Sequence, residues 1–81
     1  MSKLPVVSGK KLIKMLTRLD YEIMRQRGSH VRLRKVTTVG EHKITVPDHK
    51  EIAKGTLNDI LSKVSLWNGI SKDEIIRLLK R

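Results

Sequence analysis

Three stretches of the chain repeat apolar residues at helical spacing, and between the first two the repeat shortens to every second residue. Leu12, Met15, Leu16 and Leu19 recur at intervals of three and four, the pattern of a helix with one buried face. Lys10, Lys11, Lys14 and Arg18 fall largely on the other face. Ser8 can accept one of the backbone N–H groups that a first turn leaves unpaired, so this helix is predicted from about Gly9 to Leu19, with Val7 stapling its start. Near the other end, Leu57, Ile60, Leu61 and Val64 form a clean stripe behind Thr56, which reads as an N-cap. Leu66-Trp67-Asn68-Gly69 closes that helix. Ser71 and Glu74 then form a capping box for a last short helix with Ile75, Leu78 and Leu79 inward. Gly55 breaks the chain before the second helix, and Asp48 to Lys54 reads as a connector with one helical turn capped by Asp48 and Glu51.

The middle of the chain reads as strands. Asp20 ends the first helix, and Tyr21 to Arg27 alternates into a first strand. Gly28-Ser29 follows as a two-residue turn, with glycine where a type II′ hairpin needs a positive φ. His30 to about Val36 is the returning strand. This register pairs Met24 with Leu33 and Gln26 with Val31 on a core side, and gathers Arg25, Arg27, His30, Arg32 and Arg34 on the opposite side. Ile23 falls on the wrong side, which calls for a bulge near it. After a loop at Thr37 to Glu41, His42 to Val46 forms a third strand stopped by Pro47. The fold expected is therefore α+β, an α-β-β-β-α sandwich with a short extra C-terminal helix. Its helices lie on one face of a three-stranded antiparallel sheet, leaving the basic face open. No repeat or linker divides residues 1–81, so a single domain is expected.

Charge sharpens this picture. The net charge is +10, and residues 1–40 carry ten Lys/Arg against only Asp20 and Glu22, whereas residues 41–81 carry eight against six acids. Arg27 faces His30 and Arg25 faces Arg32 across the expected hairpin, and like charges so placed repel unless something anionic offsets them. Concentrated basicity of this kind points to a polyanion, nucleic acid before membrane. Without cysteine there is neither a disulfide nor a thiolate metal site, and no apolar run is long enough to span a bilayer. Met1-Ser2-Lys3-Leu4-Pro5 does not begin a secretory signal. A soluble cytoplasmic domain is the expectation.

Tyr21 and Trp67 are the only aromatic residues apart from histidine, too few for a base-stacking platform, so recognition through phosphates and 2′-hydroxyls fits better. Trp67 is assigned to the core or a helix end. His30 is the one side chain at the hairpin turn able to trade protons near neutral pH, which makes it either a base in catalysis or a phosphate contact. His42 reads as solvated at the start of an exposed strand, and His49 as a loop residue that orders the connector or reaches the basic face. Three scattered histidines do not make a metal site, no phosphate-cradling glycine loop is present, and no cofactor is expected.

Gly28-Ser29-His30 after a basic strand, Val46-Pro47-Asp48-His49, and Lys54-Gly55-Thr56-Leu57-Asn58-Asp59-Ile60-Leu61 together resemble the HicA (YcfA-like) toxin family, over nearly the whole chain. The link Leu66 to Ile70 departs from the shorter one expected there. The resemblance implies a double-stranded-RNA-binding-domain-like fold and the toxin role in a toxin–antitoxin pair. It implies an endoribonuclease (mRNA interferase) that cuts mRNA without a metal and is held inactive by a HicB-like antitoxin. The family's catalytic histidine matches His30, with Gly28 and Ser29 forming its turn, and His49 matches a structural or RNA-contacting position. Arg25, Arg27, Ser29, Arg32, Arg34, Lys35, His49 and Lys54 are the expected RNA contacts. Two other readings start from the same residues: a basic RNA- or DNA-binding module without catalysis, and a protein-interaction module whose basic face docks an acidic partner.

Overall fold

A computed structural model describes residues 4–81 and has the element order α1 (Gly9–Arg18), β1 (Glu22–Arg27), β2 (His30–Thr37), β3 (Gly40–Pro47), α2 (Lys54–Asn68) and α3 (Lys72–Leu79). The strands form one antiparallel sheet in the order β1-β2-β3, giving the expected α+β fold. Of the segment Met1 to Pro5, the first three residues lie outside the described part.

Helix α1 starts as its sequence dictates, with Ser8 Oγ accepting from the Lys11 backbone N–H at 3.1 Å. It ends where Asp20 takes a left-handed conformation (φ +71°), and the Tyr21 and Asp20 N–H groups donate back to the Leu16 and Thr17 carbonyls. This is the wrap-around that satisfies a helix's last carbonyls. Gly9 is buried because the helix start lies directly on the exit of β3. A Cβ there would stand 2.2 Å from the Pro47 carbonyl oxygen and 2.7 Å from Asp48 Cα.

One face of β2 and β3 supplies Val31, Leu33, Ile44 and Val46 to the core, against Leu12, Met15 and Leu16 of α1, Leu57, Ile60, Leu61 and Val64 of α2, and Ile75, Ile76 and Leu79 of α3. The helices do not cover β1. Every residue of β1 is exposed, so Gln26 and Ile23 lie on the core side of the sheet without being covered. The expected pairing of Met24 with Leu33 is also overturned: Ile23 pairs with Leu33, and a bulge leaves Met24 as the extra residue beside Arg25, opposite Arg32. Shifting the register by one residue returns Ile23 to the core side, as the sequence pattern required.

Two connections are tighter than expected. The β2–β3 loop shrinks to Thr38-Val39, because Thr37 pairs with Gly40 and its hydroxyl bonds the Gly40 carbonyl at 2.8 Å. Helix α2 begins at Lys54 rather than behind Thr56, with Ala53 as an N-cap lacking a side-chain bond. Asp48 to Ala53 forms no helical turn. The buried side chain of Ile52 and its backbone bond to the Val7 carbonyl (2.9 Å) hold that segment against α1, so Ala53 accepts the first α2 bond from Leu57. Gly55 sits inside the first turn instead of breaking it. The C-terminal signals hold: Gly69 caps α2 with φ +62°, and Ser71 Oγ accepts from the Glu74 N–H at 3.2 Å.

Candidate nucleic-acid interface

The face of the sheet turned away from the helices is set by alternation along the strands. In β2 it displays His30, Arg32 and Arg34, opposite Val31 and Leu33 in the core. In β1 it displays Arg25 and Arg27, and in β3 Lys43 and Thr45. Arg27 is paired with His30 and Arg25 with Arg32. These side chains enclose a shallow cavity of about 450 Å³ lined by Met24, Arg25, Arg27, His30, Arg32, Lys43 and Thr45.

His30 stands at the rim because of the turn before it. Gly28 has φ +57° and Ser29 has none of the positive-φ strain, the pattern of a type II′ turn. The Asp48 N–H donates to the Ser29 carbonyl at 2.6 Å, and the Gly9 N–H to the His49 carbonyl at 2.9 Å. The turn is thus braced by the segment after β3, itself wedged against Gly9. Gly9, Pro47 and Asp48 act on the turn only through this chain of backbone contacts.

The cations of the face are not equivalent. Arg34 bonds Glu41 at 3.0 Å and lies 3.8 Å from Glu22, and Lys43 lies 3.5 Å from Glu41. Among the described residues Arg25, Arg27 and Arg32 have no carboxylate partner. Uncompensated positive charge is therefore concentrated at the His30 end. Such charge is self-repelling in the free protein and favourable once an anion arrives.

Other sequence-derived contacts lie elsewhere. Lys35 is on the helix side of the sheet, where its Nζ donates to Asn68 Oδ1 at 2.5 Å and lies 5.8 Å from the centre of the Tyr21 ring. Lys54 is exposed at the start of α2 and lines no part of the cavity. His49 is exposed beside Ser8, Lys10, Asp48 and Lys50, in a separate depression at the start of α1. Lys43 and Thr45 were missed, although the alternation of β3 places both opposite Ile44. Met24 on this face could be found only from the bulge.

His42 is the clearest correction. It is 5% exposed, not solvated, because it shares the core-facing side of β3 with Ile44 and Val46. Its ring stacks on Trp67 (5.0 Å between centres, 5° between planes), and its Nδ1 is 2.6 Å from the Tyr21 hydroxyl. Asn68 Nδ2 donates to the same hydroxyl oxygen at 3.0 Å, so the Tyr21 hydroxyl bridges His42 and Asn68. Burial, and secondarily the positive charge of Lys63, hold the His42 pKa below the usual histidine value. Burial pushes the Tyr21 hydroxyl up, and its bond from Asn68 opposes this. The cluster joins β3 to the end of α2, with the Tyr21 ring buried and the Trp67 ring half-buried against His42.

Among the described residues no group of three or more His, Asp or Glu side chains is arranged to hold a metal ion, and no helix is long and apolar enough to cross a membrane. A family model described as the HicA toxin of bacterial toxin-antitoxin systems matches residues 9–66. No curated protein and no solved structure matches the chain.

Proposed function

The chain belongs to the HicA toxin family, and from that premise we propose that it is an endoribonuclease acting on mRNA, with His30 as the general base and a HicB-like antitoxin as its inhibitor. The observation that carries this reading is that His30 opens into the same cavity as Arg25, Arg27 and Arg32, guanidinium groups without a carboxylate partner among the described residues.

The His30 imidazole takes the proton from a ribose 2′-OH, and the resulting oxygen attacks the adjacent phosphorus. The bond to the 5′-oxygen breaks, and that oxygen takes up a proton from the imidazolium or from water. A 2′,3′-cyclic phosphate remains on one product and a 5′-hydroxyl on the other. Arg27, paired with His30, holds the phosphate and offsets the charge that builds on it in the transition state, and Arg25 and Arg32 meet the neighbouring phosphates. Arg34 is occupied by Glu22 and Glu41 and plays a smaller part. Among the described residues no carboxylate lines the cavity to act as a second proton-transfer group, and one positioned base contributes about 10²–10⁴-fold, so a modest enzyme is expected. An antitoxin inhibits by covering this face, and acidic side chains on it would match the free arginines.

His30→Ala should abolish cleavage while leaving RNA affinity near that of the wild type. Equal cleavage by both proteins, in preparations free of host ribonuclease, would overturn the assignment. Wild-type protein that binds RNA and never cuts it would favour the binding-module reading instead.

A further inference from the structure

Met24 has no role in the fold that explains its position. It is the extra residue of the β1 bulge, is 45% exposed, and lines a cavity whose other walls are Arg25, Arg27, His30, Arg32, Lys43 and Thr45. Bulges re-aim side chains beside functional sites. This one turns a thioether into the cavity that holds His30.

We propose that this cavity seats one unstacked nucleobase of single-stranded RNA, packed against the Met24 thioether and the guanidinium planes of Arg25 and Arg32, one nucleotide away from the phosphate at His30. A volume of about 450 Å³ lies within the range of small-ligand pockets. A base needs a flat or polarisable partner, and both aromatic rings are committed elsewhere: Tyr21 is 3% exposed and Trp67 is stacked on His42. Sulfur and guanidinium are the groups left on the open face that can cover a π-system. The Thr45 hydroxyl can both donate to and accept from a base edge. Arg32, which faces the bulge, is two residues from His30 along β2, about 6.8 Å of strand, a step that one extended nucleotide spans. The chemistry asks for the same thing, because a 2′-oxygen reaches in-line geometry only where the backbone has left the regular duplex.

The seat depends on the ribonuclease reading for its choice of RNA as ligand, and binding alone tests it. The probe is a short 2′-O-methyl oligoribonucleotide, which cannot be cut, beside the same oligomer with its bases replaced by abasic sites. Fluorescence anisotropy should show wild-type protein binding the base-bearing oligomer more tightly. Met24→Ala should reduce that preference by roughly 2- to 12-fold, the range of a sulfur–ring contact, and leave affinity for the abasic oligomer unchanged. Met24→Leu, which keeps the apolar volume, should restore part of the preference. Equal binding of the two oligomers by the wild type, or a preference left unchanged by Met24→Ala, overturns the seat. Loss of cleavage in His30→Ala bears on the base and leaves this comparison intact.

Discussion

Only some of the cations on the open face should count toward RNA binding, and salt dependence can count them. Each phosphate neutralised on a single strand lowers log K by about 0.7 per decade of salt. Three guanidinium groups, on Arg25, Arg27 and Arg32, have no carboxylate partner among the described residues. If each meets one phosphate, the slope is about −2.1, and affinity falls about 18-fold between 50 and 200 mM salt. Arg32→Gln leaves two contacts, a slope of about −1.4 and a loss of about 7-fold over the same range. Arg34→Gln should leave the slope unchanged, because Arg34 is already compensated by Glu41 at 3.0 Å and Glu22 at 3.8 Å. Glu41→Gln should steepen it by about 0.7 for each cation released, since both Arg34 and Lys43 lean on that carboxylate. The assay is an anisotropy titration of a short single-stranded RNA at several salt concentrations, in the His30→Ala background so that the probe survives. Equal loss of slope in Arg32→Gln and Arg34→Gln would refute the division of the face into free and occupied cations.

Two further outcomes concern stability. The His42 pKa is lower in the folded protein than in the unfolded chain, so the unfolded state binds more protons as pH falls. The corresponding stability is fully present above the unfolded value of about 6.5 and is lost as pH falls from there through the folded value; denaturant midpoints should drop over that window in the wild type and stay flat in His42→Gln. Gly9→Ala forces a Cβ to 2.2 Å from the Pro47 carbonyl oxygen, between two stretches of backbone, and should cost about 1–3 kcal/mol by chemical denaturation. Because the same segment braces Ser29, that variant should also lose RNA cleavage beyond what its unfolded fraction explains.

The elements were legible because their signals are local. Helix α1 with its Ser8 cap, the Gly28-Ser29 turn, the Ser71 capping box and the Gly69 end depend on residues within a few positions of one another. The same holds for the separation of Arg25, Arg27, His30 and Arg32 from Val31 and Leu33, which period-two alternation imposes on any paired strand. The signal for His42 was present too, in its parity with Ile44 and Val46, but its identity as a histidine argued for water.

Alternation says which residues share a face and leaves open what covers that face. Tertiary structure decided that the helices bury β2 and β3 but leave β1 uncovered, and that Tyr21, Trp67 and Asn68 come from distant positions to enclose His42. It decided as well that Lys35 bonds Asn68 on the helix side, that Arg34 is held by Glu41, and that Met24 turns into the basic cavity through a bulge. Each of these rests on a contact between elements, whose energy depends on docking distance and on the competition for burial. The order of residues along the chain determined a basic, histidine-tipped hairpin; how the three helices close on the sheet decided which of its charges stay free to meet an anion.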